Sequence, residues 1–373
     1  MFYHHGQGEA GAEKLLCDME KLTSIWQIDE KMVEAIAELS AVCAKDKGKQ
    51  SQPLLTYQEK LERLFKTYIS ILKSYTHRDD GISLWEERDI KFYVNDKLIR
   101  TIRDLFDKFS RGKLTESNKC SNRLFNVSAN RQTAKSLFPI TNIPKDSFWF
   151  RARRPERIKF SRKDLFHVPF EKRGFIGTNR FSILGYPCLY LASTIVGARE
   201  ETEDSKDLGI TAISCFQNNT DIEAYDFTFF PKRKKEDWQT LYKDIMTYPF
   251  KIAASIPVGA EKEYCPFKEE YIIPQLLLHC VIRQSGKRKL ALLYSSTKAI
   301  ENKVDKNLFC QHANLVFPAV LVKRDGFCRF LMEKFILTSP QIVPFTHLSN
   351  EEINEIEKNI KQMKMENLNQ EID

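Results

Sequence analysis

The stretch "RFSILGYPCLYLASTIVGAREE" runs from Arg180 to Glu201. Gly185–Pro187 punctuates it as a turn. Cys188–Ala192 then reads as a short apolar strand. Strand alternation puts Leu189 and Leu191 on one face and Tyr190 on the other. A short helix follows, with Ala198 directed to the core and the acids Glu200 and Glu201 at its C-terminal end. Acids there oppose the helix dipole, so local structure gives no reason for them. A solvated pair of surface acids is the ordinary alternative.

The same texture continues on both sides. "FWFRA", "GITAISCF", "IEAYDF", "LALLYSS" and "NLVFPAVLV" are short apolar runs bounded by turn signals. Helical patterns such as "EDWQTLYKDIMT" and "YIIPQLLLHCVIRQSG" lie among them. This predicts a strand-rich α+β domain over residues 147–343. Residues 1–112 read as helical. "DEKMVEAIAELSAVCAKDKGKQSQP" is a helix running into a polar linker that ends at Pro53. In the next helix Thr56 and Glu59 have capping-box spacing, and Leu61, Leu64, Phe65, Tyr68 and Leu72 share a face. Leu98, Ile102, Leu105 and Phe109 repeat the stripe, with Gly112 as C-cap. Residues 113–146 are rich in Ser and Asn, lack helical period and read as a connector. Over residues 344–373 a second capping box, Ser349 and Glu352, opens a terminal helix expected to fray into a polar tail.

Composition narrows the class. The 373 residues are 42% hydrophobic and 12% aromatic, enough for a core and unlike a disordered chain. A net charge of +8 suits an anionic ligand, a weak nucleic-acid contact or simply a basic soluble protein. The 9 cysteines form no CxxC pair and have no accompanying His cluster, so neither a disulfide framework nor a zinc site is expected. No apolar run is long enough for a membrane span, and the N-terminal segment has no apolar signal region. A cytoplasmic setting is expected.

Two further segments carry chemistry. Arg151, Arg153, Arg154, Arg157, Lys159, Arg162 and Lys163 crowd together. On a strand, Arg151 and Arg153 share a face opposite Phe150 and Ala152, an arrangement that can grip a phosphate or pyrophosphate. The plainer reading is a solvated basic edge. The run also supports a competing function, a non-catalytic basic protein that binds RNA. Downstream, Tyr294, Ser295 and Ser296 end an apolar strand, where hydroxyls often serve only as a helix N-cap. No Gly-x-Ser-x-Gly elbow surrounds them, and no Gly-x-Gly-x-x-Gly follows a strand.

Taken in order, "FWFRAR", "NRFSILGYPCLYLASTIVGAREE", "YIIPQLLLHCVIRQSGKRKLALLYSST" and "LVFPAV" resemble the RES-domain family, named for its Arg, Glu and Ser. The resemblance covers about Ser147 to Val322 and leaves the N-terminal helices outside. It implies an ADP-ribosyltransferase-like fold and an enzyme that consumes NAD by cleaving the nicotinamide–ribose bond, as a phosphorylase, hydrolase or ADP-ribosyltransferase. It also implies a bacterial toxin restrained by an antitoxin protein. By position, Arg151, Glu201 and Ser296 are the implied catalytic set. Arg151, Arg180, Tyr190, Ser296 and Arg153 are the implied NAD contacts. The acid is selected as Glu201, three residues after Ala198, with Glu200 as the fallback. The sequence departs from the family turn at Asn179 and Ser182, where Gly and Asn are usual. NAD is a substrate in this scheme, and neither a metal nor a resident cofactor is implied. The acceptor is water, inorganic phosphate or a protein. The N-terminal helices are compatible with a built-in regulator, a homodimer contact or a partner-docking surface.

Overall fold

The computed structural model describes residues 26–45, 55–74, 97–126, 138–154, 160–202, 210–230, 238–259, 265–284, 291–301, 312–319, 326–345 and 348–368. Helices α1 (Trp26–Lys45), α2 (Tyr57–Ser74), α3 (Arg100–Ser110) and α4 (Leu114–Asn126) come first. Strands β1 (Ile140–Ile143) and β2 (Phe148–Arg153) follow, then the short helix α5 (Arg162–Leu165). Strand β3 (Cys188–Ala192), helix α6 (Ile195–Glu200) and strands β4 (Thr211–Asn218) and β5 (Ile222–Phe227) come next. Helices α7 (Trp238–Ser255) and α8 (Ile272–Gln284) lead to β6 (Ala291–Ser295), α9 (Thr297–Glu301) and β7 (Ala313–Pro318). The chain continues through α10 (Arg329–Lys334), β8 (Phe335–Thr338), β9 (Gln341–Val343), α11 (Asn350–Gln362) and β10 (Met365–Asn367). The fold is α+β, as the patterning predicts.

The strands form one ten-stranded sheet in the order β1-β5-β6-β7-β3-β2-β4-β8-β10, with β9 also paired to β4. The pair β5–β6 is parallel. A parallel pair needs a long crossover, and α7 and α8 lie within it. They bring one helical layer onto one face of the sheet. Strand alternation then sorts the core. Tyr225, Leu292, Tyr294, Val316 and Cys188 face the helices, together with Met32, Phe65, Ile102 and Phe250. Leu189, Leu191, Leu293, Leu315 and Phe317 face the opposite layer with Leu331 and Phe335. Under α6 and α11 a third cluster forms from Phe150, Ala152, Ala192, Ala198, Cys215 and Ile360.

Both capping boxes form. Glu59 N–H donates to Thr56 Oγ1 at 3.2 Å, and Glu352 N–H to Ser349 Oγ at 3.2 Å. Gly112 takes φ +73°, the left-handed turn that ends α3. The region expected as a connector differs from that expectation. Residues 114–126 are helical, and residues 140–143 add an edge strand to β5. The helix packs through a buried small polar residue, Ser117, whose hydroxyl donates to Leu105 O at 3.2 Å. The tail also departs from the expected fray, because Met365–Asn367 pairs with β8. The linker ending at Pro53 lies outside the described residues.

Candidate active site at the β3–β6–β7 strand ends

Asn314 is the second residue of β7 and lies in register between Ala192 of β3 and Tyr294 of β6. Two elements end beside it. The first is α6, capped at its start by Thr194 Oγ1, which accepts from Gly197 N–H at 3.1 Å. Glu201 is its C-cap residue. The second is β6, which runs into Ser296 and α9. Ser296 Oγ donates to Glu201 Oε1 at 2.9 Å, and Asn314 Nδ2 donates to the same oxygen at 2.7 Å. Ser296 and Asn314 are buried whereas Glu201 is exposed. An exposed carboxylate is thus pinned by one oxygen to two buried donors. Ser296 also accepts from Lys298 N–H at 3.2 Å, so its hydroxyl caps α9 and holds Glu201 at once. The fallback acid Glu200 points elsewhere, with Oε2 3.8 Å from His312 Nδ1.

Arg180 makes a second group of contacts. Its Nη1 donates to Ala254 O at 3.1 Å and Ile256 O at 2.9 Å, binding the end of α7, and its guanidinium sits 5.2 Å over the Tyr271 ring. Phe181 stacks on Tyr294 with centroids 4.4 Å apart. Burial pushes the Tyr294 hydroxyl well above its usual pKa, and Glu201 adds to that rise while Arg180 opposes it. Burial also raises Tyr271, with Arg180 lowering and Glu201 raising it. Both phenols therefore lie within the electrostatic reach of the acid and of the arginine. Tyr190, with its hydroxyl raised chiefly by burial, donates to Phe181 O at 2.7 Å. The turn before it is closed by Asn179 N–H to Ser182 Oγ at 2.8 Å and Ser182 N–H to Asn179 O at 3.2 Å.

Arg151 reaches this group from the side. β2 meets β3 at a single pair, Phe150 and Ala192, whereas it pairs with β4 along its whole length. Arg151 adds a side-chain link between the two strands, its Nη1 donating to Tyr190 O at 2.8 Å. Its Nε is buried with no hydrogen-bond partner. Burial, then Arg153, pulls the guanidinium down to about 9, still charged at neutral pH. Arg153 turns away, with Nη2 donating to Phe166 O at 3.2 Å. Arg162 is buried, donating to Leu337 O at 3.2 Å and pairing with Glu366 at 2.9 Å. Among the described residues of the basic run, Arg151, Arg153 and Arg162 each bond the backbone of the fold, while Arg154 is exposed. Arg157 and Lys159 lie outside the described residues.

The structure thus joins Glu201 directly to Ser296. Arg180, Tyr190 and Arg151 adjoin them through Tyr271, Tyr294 and the Tyr190 backbone, and Arg153 stands apart. Asn314, Tyr271 and Tyr294 complete the site without having been singled out as site residues in the sequence. The available signal for Asn314 was a polar residue at the head of the apolar run "NLVFP". Among the described residues no group of His, Cys, Asp and Glu side chains is suited to a metal ion, and no helix is long and apolar enough to cross a membrane.

Fold and site define an α+β protein with a mixed sheet and a carboxylate held by two buried donors at its strand ends. The chain is similar to a protein of Bacillus subtilis (strain 168) described as "Putative toxin YopC", 33% identical over 217 residues. The match covers 55% of this chain and 48% of that protein, so the chain spans about half the length of this curated relative. No protein-family model matches the chain, and no solved structure matches it.

Proposed function

We propose that this chain is a toxin that acts by cleaving the nicotinamide–ribose bond of NAD, and that it is paired with an antitoxin protein. The observation that carries the proposal is the exposed Glu201 carboxylate, anchored at one oxygen by buried Ser296 and Asn314. Arg180 lies over the Tyr271 ring, and the Glu201 charge raises the pKa of both the Tyr271 and the Tyr294 hydroxyl. The similarity to a protein carrying a toxin name supports the cellular role.

In this scheme the C1′–N bond breaks heterolytically. The electron pair leaves with nicotinamide, which departs neutral, and the ribose carbon gains oxocarbenium character. Glu201 stabilises that positive charge, and Ser296 holds the carboxylate rather than attacking. Arg180 and Arg151 supply positive charge for the pyrophosphate, and the phenol rings offer faces for the departing ring. An acceptor, whether water, inorganic phosphate or a protein nucleophile, bonds to C1′ and releases a proton.

The test is to incubate the full chain with NAD, with and without phosphate, and to follow nicotinamide release and the mass of the ribose product. Glu201→Gln is expected to cut the rate about a hundredfold or more, since one oriented charge contributes about 3 kcal/mol to the barrier. It should also relieve any growth arrest caused by expressing the chain. Wild-type protein that leaves NAD intact while shifting RNA in a steeply salt-dependent way would replace this function with nucleic-acid binding.

A further inference from the structure

We infer that Asn314 is a positioning residue that orients the Glu201 carboxylate, an assignment that rests on the NAD-cleaving function proposed above. Asn314 is 3% exposed and lies within an otherwise apolar strand. A buried amide is costly unless paired, and its Nδ2 pairs with Glu201 Oε1 at 2.7 Å. Ser296 supplies a second donor to the same oxygen at 2.9 Å. The Ser296 hydroxyl is itself oriented, because it accepts from Lys298 N–H and so directs its own proton toward Glu201. Two donors from different elements fix the position of Oε1. Among the described residues Oε2 accepts no hydrogen bond, which leaves that oxygen to the substrate.

Glu201 needs this help because its own backbone offers none. It sits at the C-terminal end of α6, where the helix dipole repels an anion. Nor do Arg180 and Arg151 pair with it: Arg180 is committed to Ala254 O and Ile256 O, and Arg151 to Tyr190 O. Orientation therefore falls to the neutral pair Ser296 and Asn314. Neutral donors hold the anion without quenching the charge that a cationic transition state would use.

Two variants test this, Asn314→Leu and Asn314→Val, each of which removes the donor. Thermal unfolding of both checks that they fold. Each is expected to lower kcat for nicotinamide release at least tenfold while KM for NAD stays within twofold. A purely structural asparagine would not produce that split. A second readout does not need turnover. The side-chain amide of Asn314, observed by 15N NMR, should show a downfield proton that moves upfield in Glu201→Ala and stays in place in Glu200→Ala. Wild-type protein without NAD turnover but with this amide signature would remove the proposed reaction and keep the positioning contact. Unchanged kcat in both variants of an active enzyme, or an amide proton indifferent to Glu201→Ala, would overturn the inference.

Discussion

His167 is buried, with Nδ1–H donating to Val168 O at 2.8 Å and Nε2 accepting from Cys328 N–H at 2.7 Å. Burial, helped by the nearby Arg151 and Arg153, pushes its pKa down to about 4 against an opposing backbone hydrogen bond. The unfolded chain titrates near 6.5. Between those values the unfolded state binds the extra proton, so stability is complete above about pH 6.5 and declines as pH falls toward 4. Urea unfolding at pH 5 should therefore show a loss of about 2 kcal/mol relative to pH 7 from this group. In His167→Gln that part of the difference should vanish. An equal pH dependence in both proteins would show that His167 is not its source. The histidine carried no sequence signal, since nothing local reveals that a ring will be enclosed by residues far along the chain. Glu201 and Ser296 were named through the family resemblance, since the residues themselves read equally well as a surface acid and a helix N-cap. Asn314 was not, because a polar residue near the start of a strand reads as solvated until its register neighbours are known.

Helix α6, which presents Glu201, depends on the far end of the chain. Ile195 N–H, an unpaired amide of its first turn, donates to Glu357 Oε2 of α11 at 3.0 Å, and Glu357 is held by Lys361 at 2.8 Å. A carboxylate at a helix N-terminus adds a favourable dipole interaction. Glu357→Ala should cost about 1 kcal/mol in chemical denaturation, and nicotinamide release should weaken as Glu201 loses its fixed platform. Unchanged stability would mean that Thr194 alone caps the helix. Both capping boxes could be read directly from spacing. The helix at 114–126 could not, because its buried contact uses Ser117 rather than an apolar stripe. The strand at 365–367 was equally hidden, since three residues, Met-Glu-Asn, carry no period and gain their structure from the β8 edge.

One core cluster runs continuously from α1, α2 and α3 into β5, β6 and β7. Polar contacts lock it. Tyr57 and Tyr68 donate to Ala253 O at 2.8 Å and Ile245 O at 2.6 Å. Buried Asp29 accepts from Phe230 N–H at 2.8 Å and from Tyr248 OH at 2.7 Å, and faces Lys251 at 3.5 Å. Asp29→Ala would strand the Lys251 ammonium inside the protein and should cost about 3–5 kcal/mol. Asp29→Asn, which keeps an acceptor, should cost less. Denaturant unfolding that ranks both variants with the wild type would contradict this anchoring. The helical stripes were readable as packing faces, but their partner, the sheet itself, was not, because periodicity marks a buried face without naming what covers it. The single pair joining β2 to β3 has a mechanical corollary. That pair and the Arg151–Tyr190 hydrogen bond lace the backbone there, against six pairs between β2 and β4, so a pulling force applied across the sheet should part β2 from β3 before it opens the β2–β4 ladder.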